Sequence, residues 1–191
     1  MWEFSHRYFA NHLLANVDKN STLIFQTDAC PWAHRTSIVR ALKGLEDVIS
    51  MTAVMPVWQR TKPDNPDDKH CGWVFANVDG APLKNSAGLG GPFPPHYPEN
   101  NPDPNLGAKN VREIYELVGD SAGKYTVPIL FDQKLKTIVS NESADIIKML
   151  NSEFNDFAKN PGVDLAPEDM KSSMDDVDQW IYSTLNNGVY A

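Results

Sequence analysis

A short apolar strand that passes directly into a helix at a Cys-Pro pair is the feature that most constrains the fold of this chain. Residues 22–26 contain the apolar run Leu23-Ile24-Phe25 and are typical of a short buried strand. Proline is favoured at the first helical position because its missing N–H needs no partner there, so a helix is predicted to begin at Pro31. Apolar residues at helical spacing then follow: Ile38, Val39, Leu42 and Leu45.

This arrangement places Cys30 at a helix N-terminus. The free backbone N–H groups and the positive end of the helix dipole then face the sulfur and favour the thiolate, which predicts a reactive cysteine. Cysteine is also among the most buried residue types. The alternative of a packing cysteine with no chemistry therefore stays open at this point.

The chain contains two cysteines, Cys30 and Cys71, too few for a disulfide framework. Ala33 occupies the position of the second cysteine of a Cys-x-x-Cys motif, so redox chemistry at Cys30 needs an external thiol. A zinc site that combines these cysteines with His34 and His70 has spacings unlike those of structural zinc sites. No bound metal is predicted.

Composition bounds the class of protein. The 191 residues, 41% of them apolar, suffice for one sizeable domain. The formal net charge of -8 argues against nucleic acid or anionic membranes as partners. No apolar run is long enough to span a membrane, and the first residues do not resemble a signal peptide. We expect a cytoplasmic protein.

The pattern after the first helix predicts a second strand at 48–54, joined through Gly44 as in a parallel βαβ unit. Residues 56–107 are rich in Pro, Asn, Asp and Gly and form a long insertion in which 70–75 is the one apolar island. Within it, Trp73 is either a substrate-facing ring or a packing residue that fixes the loop.

The C-terminal half predicts a helix, a hairpin and another helix. Apolar spacing over 111–118 indicates a helix that ends before Gly119, and strands at 127–132 and 135–139 flank a two-residue turn. A helix then opens at 141–143, with Ser140 or Asn141 available as N-cap. Its apolar face holds Ile146, Ile147, Leu150 and Phe154.

The order of elements is βαβ, a long insertion, then αββα. This is the order of an α/β, thioredoxin-like fold with a sheet covered on both faces. Pro128 at the start of a central strand is expected to follow a cis peptide bond. After a linker at 156–167, a last amphipathic helix at 168–191 either packs on this domain or begins a second one.

Several motifs resemble the glutathionyl-hydroquinone reductases, the Xi-class glutathione transferases, which are relatives of the omega class. They are Cys-Pro-Trp-Ala-His-Arg-Thr at 30–36, Leu-Lys-Gly-Leu-Glu at 42–46, Val-Pro-Ile-Leu at 127–130, Ser-Asn-Glu-Ser at 140–143, Ile-Lys-Met-Leu-Asn-Ser-Glu-Phe-Asn at 147–155 and Asn-Asn-Gly-Val-Tyr at 186–190. The resemblance covers about residues 22 to 190. It implies a glutathione-binding thioredoxin-like domain at 22–155, preceded by a divergent segment at 1–21. Residues 168–191 would start an all-helical domain.

The resemblance implies an activity and a mechanism. The Cys30 thiolate would attack the sulfur of a glutathionyl-hydroquinone, release the hydroquinone and form a mixed disulfide. Glutathione, the co-substrate, would then resolve that disulfide, in agreement with the absent second cysteine.

The resemblance also implies site residues. Val127, before Pro128, would pair with the cysteinyl part of glutathione, as a strand pairs with an edge peptide. Glu142 and Ser143 would hold its γ-glutamyl end at a helix N-terminus. The remaining residues implied are Trp73, Arg35 and Arg112 for glutathione and Tyr190 for the quinol pocket.

Two departures from the family pattern leave alternatives open. Residues 1–21 do not match the usual lead-in, and most of the helical domain that carries the quinol pocket and dimer surface is missing. We therefore expect a truncated reductase, whereas full-length family members are homodimers. The alternatives are an omega-like thioltransferase or dehydroascorbate reductase, and an inactive glutathione-binding fragment.

Overall fold

The computed structural model of the chain describes residues 21–85, 87–120 and 122–188. Nearly all of the divergent segment at 1–21, and Tyr190, lie outside these residues. The predicted domain boundaries stay a prediction.

A four-stranded mixed sheet forms the centre of the domain. Its strands are β1 (Thr22–Gln26), β2 (Ile49–Ala53), β5 (Ile129–Asp132) and β6 (Thr137–Ser140), in the order β2-β1-β5-β6. β1 pairs with β2 in parallel, whereas the β1–β5 and β5–β6 pairs are antiparallel. The parallel pair confirms the predicted βαβ unit.

Three helices cover the two faces of this sheet: α1 (Pro31–Lys43) and α3 (Ser143–Ser152) on one, α2 (Val111–Leu117) on the other. A fourth helix, α4 (Lys171–Ile181), has no residue buried in either core. Two 3-10 turns, Asn155–Phe157 and Glu168–Met170, lie between α3 and α4, and a π-helical turn, Tyr182–Asn186, follows α4. The predicted thioredoxin-like fold is confirmed.

Alternation along the strands divides the core into two clusters. Leu23 and Phe25 of β1 face α2, whereas Ile24 between them faces α1 and α3. In β5, Phe131 lies on the α2 side and Leu130 on the other. All five side chains are fully buried. Because neighbouring strand residues point to opposite faces, a continuous apolar run of this kind suits a sheet covered on both sides.

The long insertion contains structure that the sequence did not predict. β3 (Trp58–Arg60) and β4 (Cys71–Trp73) form an antiparallel two-stranded sheet. Met55, Val57 and Ala76 form a small separate core, against which partly buried apolar residues of the insertion pack. The insertion is therefore a folded subdomain rather than an irregular loop.

Two details near β6 differ from the prediction. The hairpin connection spans four residues, 133–136, because the Asp132 carboxylate accepts bonds from the backbone N–H groups of Lys134 (2.8 Å) and Leu135 (2.9 Å). The N-cap of α3 is Glu142, since Ser140 Oγ instead accepts from the Glu142 N–H at 3.1 Å. That bond turns the chain from the strand into the helix.

The segment after α3 is fixed to the C-terminal end of α1. Lys43 is 1% exposed, and its Nζ donates to Asn155 Oδ1 and to the Val163 carbonyl, both at 2.7 Å. Gly44, the C-cap of α1, has φ +67, and an added Cβ would lie 2.7 Å from Lys159 Cβ. Close approach and positive φ both require glycine here.

We predict that Gly44→Ala lowers the free energy of unfolding by about 3 kcal/mol, as the sum of left-handed backbone strain and a forced shift at Lys159. Gly119→Ala is the matched control, because Gly119 has φ +77 but open space around it. It should lower the free energy of unfolding by only about 1 kcal/mol. Urea denaturation measures both, and equal losses would contradict the contact with Lys159.

Candidate functional site

The Cys30 side chain lies in a cavity of about 1260 Å³ between the starts of α1 and α3, the segment before β5, the insertion and α4. Cys30 is the N-cap of α1, with Pro31 at the first helical position as predicted. The Cys30 carbonyl accepts bonds from the N–H groups of Ala33 (3.0 Å) and His34 (2.9 Å), which fixes the first turn. The half-buried sulfur is thus held at the helix N-terminus and faces the cavity.

Opposite the sulfur lies the segment that precedes β5. The Val127–Pro128 peptide bond is cis, as predicted. The Cys30 thiol points to the Val127 carbonyl oxygen at 3.9 Å, a long sulfur hydrogen bond. Both residues line the cavity. A ligand that bonds to the backbone of Val127 would therefore lie directly beside the sulfur.

The N-terminus of α3 forms the next part of the wall, with Glu142 exposed to the cavity and Ser143 at the first helical position. Arg35 of α1 donates from Nε (2.9 Å) and Nη2 (2.6 Å) to Ser143 Oγ. Its guanidinium lies 4.9 Å from the centre of the Trp32 ring. These contacts fix one cation between the starts of two helices.

Electrostatics around Arg35 are mixed. Burial lowers the pKa of Arg35, and the carboxylates of Asp178 and Glu142 oppose that shift. Arginine stays protonated at any ordinary pH. The site therefore alternates negative, positive and negative groups, an arrangement suited to a ligand that carries both an ammonium and a carboxylate.

Aromatic rings line the two remaining sides. On the insertion side, Trp73 of β4 meets Trp58 of β3 edge to face, with ring centres 5.5 Å apart. On the opposite side, Trp32 lies 6.0 Å from Tyr182, just after α4. The last helix thus packs on the first domain through this pair, although it leaves much of its apolar surface exposed. The large exposed apolar side chains in and beside this helix are Met170, Val177, Trp180, Tyr182 and Leu185.

The cavity brings together most of the residues implied by the sequence. Those on its wall are Cys30, Arg35, Trp73, Val127, Pro128, Glu142 and Ser143. Arg112 is not among the lining residues. Its guanidinium pairs with Asp68 (2.7 Å) and Glu116 (2.8 Å), which hold it behind the insertion.

Sequence reasoning missed several lining residues. Trp58 and Tyr125 belong to the cavity wall, and α4 contributes Asp175, Asp178 and Gln179. The polar residues of α4 recur at helical spacing, which is the sequence signal that marks this face of the helix.

The described residues show neither a metal site nor a membrane-spanning helix. No cluster of three or more His, Cys, Asp or Glu side chains there is arranged to hold a metal ion. No helix in those ranges has the length and apolarity needed to cross a bilayer.

Comparison with known proteins places this geometry in a family. The family model described as glutathione S-transferase, N-terminal domain, matches residues 29–153. Glutathionyl-hydroquinone reductase YqjG of Escherichia coli is 35% identical over 91% of this chain and 44% of the relative. Glutathione S-transferase omega-like 2 of Schizosaccharomyces pombe is 32% identical over 98% of this chain and 52% of the relative.

Solved structures agree with the sequence matches. Glutathione transferase Xi 1 from Trametes versicolor superposes with a TM-score of 0.72 at 37% identity, over 92% of this chain and 52% of that one. The chain spans about half the length of the curated relatives it matches. Since the family model covers well over half of the chain, the chain belongs to the glutathione S-transferase family, with Xi-class enzymes among its structural relatives.

Proposed function

We propose that this chain binds glutathione in the cavity beside Cys30 and removes glutathione from glutathionyl-hydroquinones through a mixed disulfide. The observation that carries the proposal is the Cys30 sulfur at the N-terminus of α1, 3.9 Å from the Val127 carbonyl. The E. coli relative, named a glutathionyl-hydroquinone reductase, has been solved with glutathione bound. That likeness supports the choice of ligand.

The cysteinyl part of glutathione pairs with the Val127 backbone, as an added strand pairs with a sheet edge. Its γ-glutamyl end lies at the N-terminus of α3, where backbone N–H groups and Arg35 suit the carboxylate and Glu142 suits the ammonium. This mode puts the sulfur of glutathione next to Cys30. The charges of Arg35 and Glu142 beside Ser143 support this binding mode.

The reaction proceeds in two exchanges. The Cys30 thiolate attacks the sulfur of the glutathionyl-hydroquinone and forms an S–S bond, while the aryl carbon takes the electron pair of the broken C–S bond and a proton. A second glutathione thiolate attacks the glutathionyl sulfur of that disulfide and releases oxidised glutathione and Cys30. The hydroquinone carbon is reduced, and the thioether sulfur of the substrate and the thiol of the second glutathione end as one disulfide. A reducing cytoplasm supplies the second glutathione.

We predict that Glu142→Gln weakens glutathione binding roughly tenfold, because the ammonium loses its charged partner. Isothermal titration calorimetry measures the affinity. Asp145→Asn is the matched control, since it removes a carboxylate from the same first turn outside the cavity lining. An equal loss in both variants would show that only the overall charge matters.

Turnover assays test the reaction itself. We expect the chain to convert glutathionyl-menadione and glutathione into the free quinol and oxidised glutathione. Activity confined to small mixed disulfides or dehydroascorbate would instead identify an omega-like thioltransferase or dehydroascorbate reductase. Glutathione binding without any turnover would identify a binding fragment.

A further inference from the structure

His70 lies on the insertion side of the cavity and has no role in the site as described so far. Its ring meets Tyr125, another lining residue, edge to face at 5.1 Å between ring centres. Behind it stand the buried Thr61 and the ion-paired Arg112. The polar contacts in this group bear on which ring nitrogen of His70 carries its proton.

Thr61 Oγ1 lies 2.9 Å from His70 Nδ1. Arg112 can only donate, and its Nη1 reaches the same oxygen at 3.4 Å, so the hydroxyl proton of Thr61 points elsewhere. The His70 carbonyl is farther, at 3.5 Å, and already accepts the Thr61 backbone N–H at 3.1 Å. The shorter contact favours a hydroxyl that donates to Nδ1, the arrangement in which Nδ1 carries no proton.

The His70 ring is neutral near pH 7. Burial lowers the pKa of His70 and the charge of Arg112 lowers it further, while Asp68 and Glu116 act in the opposite direction. A neutral imidazole with an unprotonated Nδ1 carries its single proton on Nε2. The edge of the His70 ring that holds Nε2 lies over Gly72. A Cβ added at Gly72 would lie 2.9 Å from His70 Cε1 and 3.7 Å from His70 Nε2. Gly72 also lines the cavity.

The order of residues along the cavity wall indicates which end of a bound tripeptide would reach this edge. Leu130 pairs with Ser140 where β5 and β6 meet, and Pro128 and Glu142, each two residues from that pair, both line the cavity. Tyr125, whose ring contacts His70, precedes Pro128 by three residues. A tripeptide of about 10 Å with its γ-glutamyl end at Glu142 thus directs its glycyl end toward Tyr125 and His70.

We propose that His70 binds the glycyl carboxylate of glutathione by donating a hydrogen bond from Nε2, with Thr61 as the residue that positions its ring. The inference rests on the proposed glutathione site. It assigns the insertion a specific task, the recognition of the end of the tripeptide that is remote from the reacting sulfur. Arg112 contributes indirectly, by orienting the Thr61 hydroxyl.

Calorimetry of the full chain with two ligands tests the contact. His70→Phe should weaken glutathione binding at least tenfold, the loss expected when a hydrogen bond to a charged group is removed. The affinity for γ-glutamylcysteine, which lacks the glycyl residue, should change less than twofold. His96→Phe, an exposed histidine of the same insertion outside the cavity lining, is the matched control and should alter neither affinity. Equal losses for both ligands in His70→Phe would overturn the proposal.

Nitrogen-15 NMR tests the positioning role. In the native chain the His70 signals should show protonation at Nε2 alone, and Thr61→Val should shift them toward a mixture of both tautomers with a severalfold loss of glutathione affinity. An Nδ1-protonated ring in the native chain would overturn the inference. If the native chain binds γ-glutamylcysteine but gains nothing from the glycyl residue, only this inference fails. If it binds neither ligand, the proposed function fails as well.

Discussion

Cys30→Ser is expected to abolish turnover of glutathionyl-menadione, with a loss on the order of a thousandfold or more, while glutathione still binds. Serine keeps the size of the side chain and the N-terminus of α1, but its hydroxyl is a far weaker nucleophile than a thiolate. Whole-protein mass spectrometry gives a second measurement. The native chain should gain the mass of one glutathionyl group when the second glutathione is withheld, and Cys30→Ser should not.

Cys71→Ser is the matched control for this experiment. Cys71 begins β4 and also lines the cavity, and its thiol donates to the Lys69 carbonyl at 3.7 Å. This variant should still gain one glutathionyl group. If Cys71→Ser, rather than Cys30→Ser, lost the modification, the proposed nucleophile would be wrong.

The largest expected effect on stability is that of Phe25→Ala, which should lower the free energy of unfolding by about 3–5 kcal/mol. Phe25 is fully buried in β1 and meets Phe75 of the insertion at 5.7 Å and Phe131 of β5 at 6.2 Å between ring centres. Its removal leaves a cavity where the sheet, α2 and the insertion meet. The loss therefore combines burial with two edge-to-face ring pairs.

Phe157→Ala makes the same chemical change at a side chain that is 38% exposed. It should lower the free energy of unfolding by less than about 1 kcal/mol, because no closed cavity forms. Urea denaturation of both variants measures the difference. Similar losses would contradict the central place of Phe25 in the core.

Local signals predicted much of the fold. The start of α1 was predictable because Pro31 is favoured at that position, and α2 because its apolar residues keep helical spacing up to Gly119. The pair β3 and β4 was missed since each has only three residues, too few for an alternating pattern, and each is stabilised by its partner. The hairpin length was wrong because Asp132 satisfies two backbone N–H groups that a longer strand would have paired.

The candidate site was predictable to a different degree. Cys30 followed from residue chemistry, whereas Val127, Glu142 and Ser143 came from the family resemblance and meet in one cavity. Their roles stay predictions. Arg112 also came from the resemblance, and the structure places it outside the cavity lining, paired with Asp68, which is distant in the chain.

The pairing of β1 has a consequence for how the chain folds. Phe25 lies beside Thr52 of β2 on one side and beside Ile129 of β5 on the other, so the two contacts close loops of very different length. On a ribosome, β1 and β2 are available long before β5, and the apolar edge of β1 stays open while the insertion is synthesised. High contact order of this kind slows folding and exposes an edge to aggregation. We therefore expect the yield of folded protein to depend more on chaperones during synthesis than its final stability would suggest.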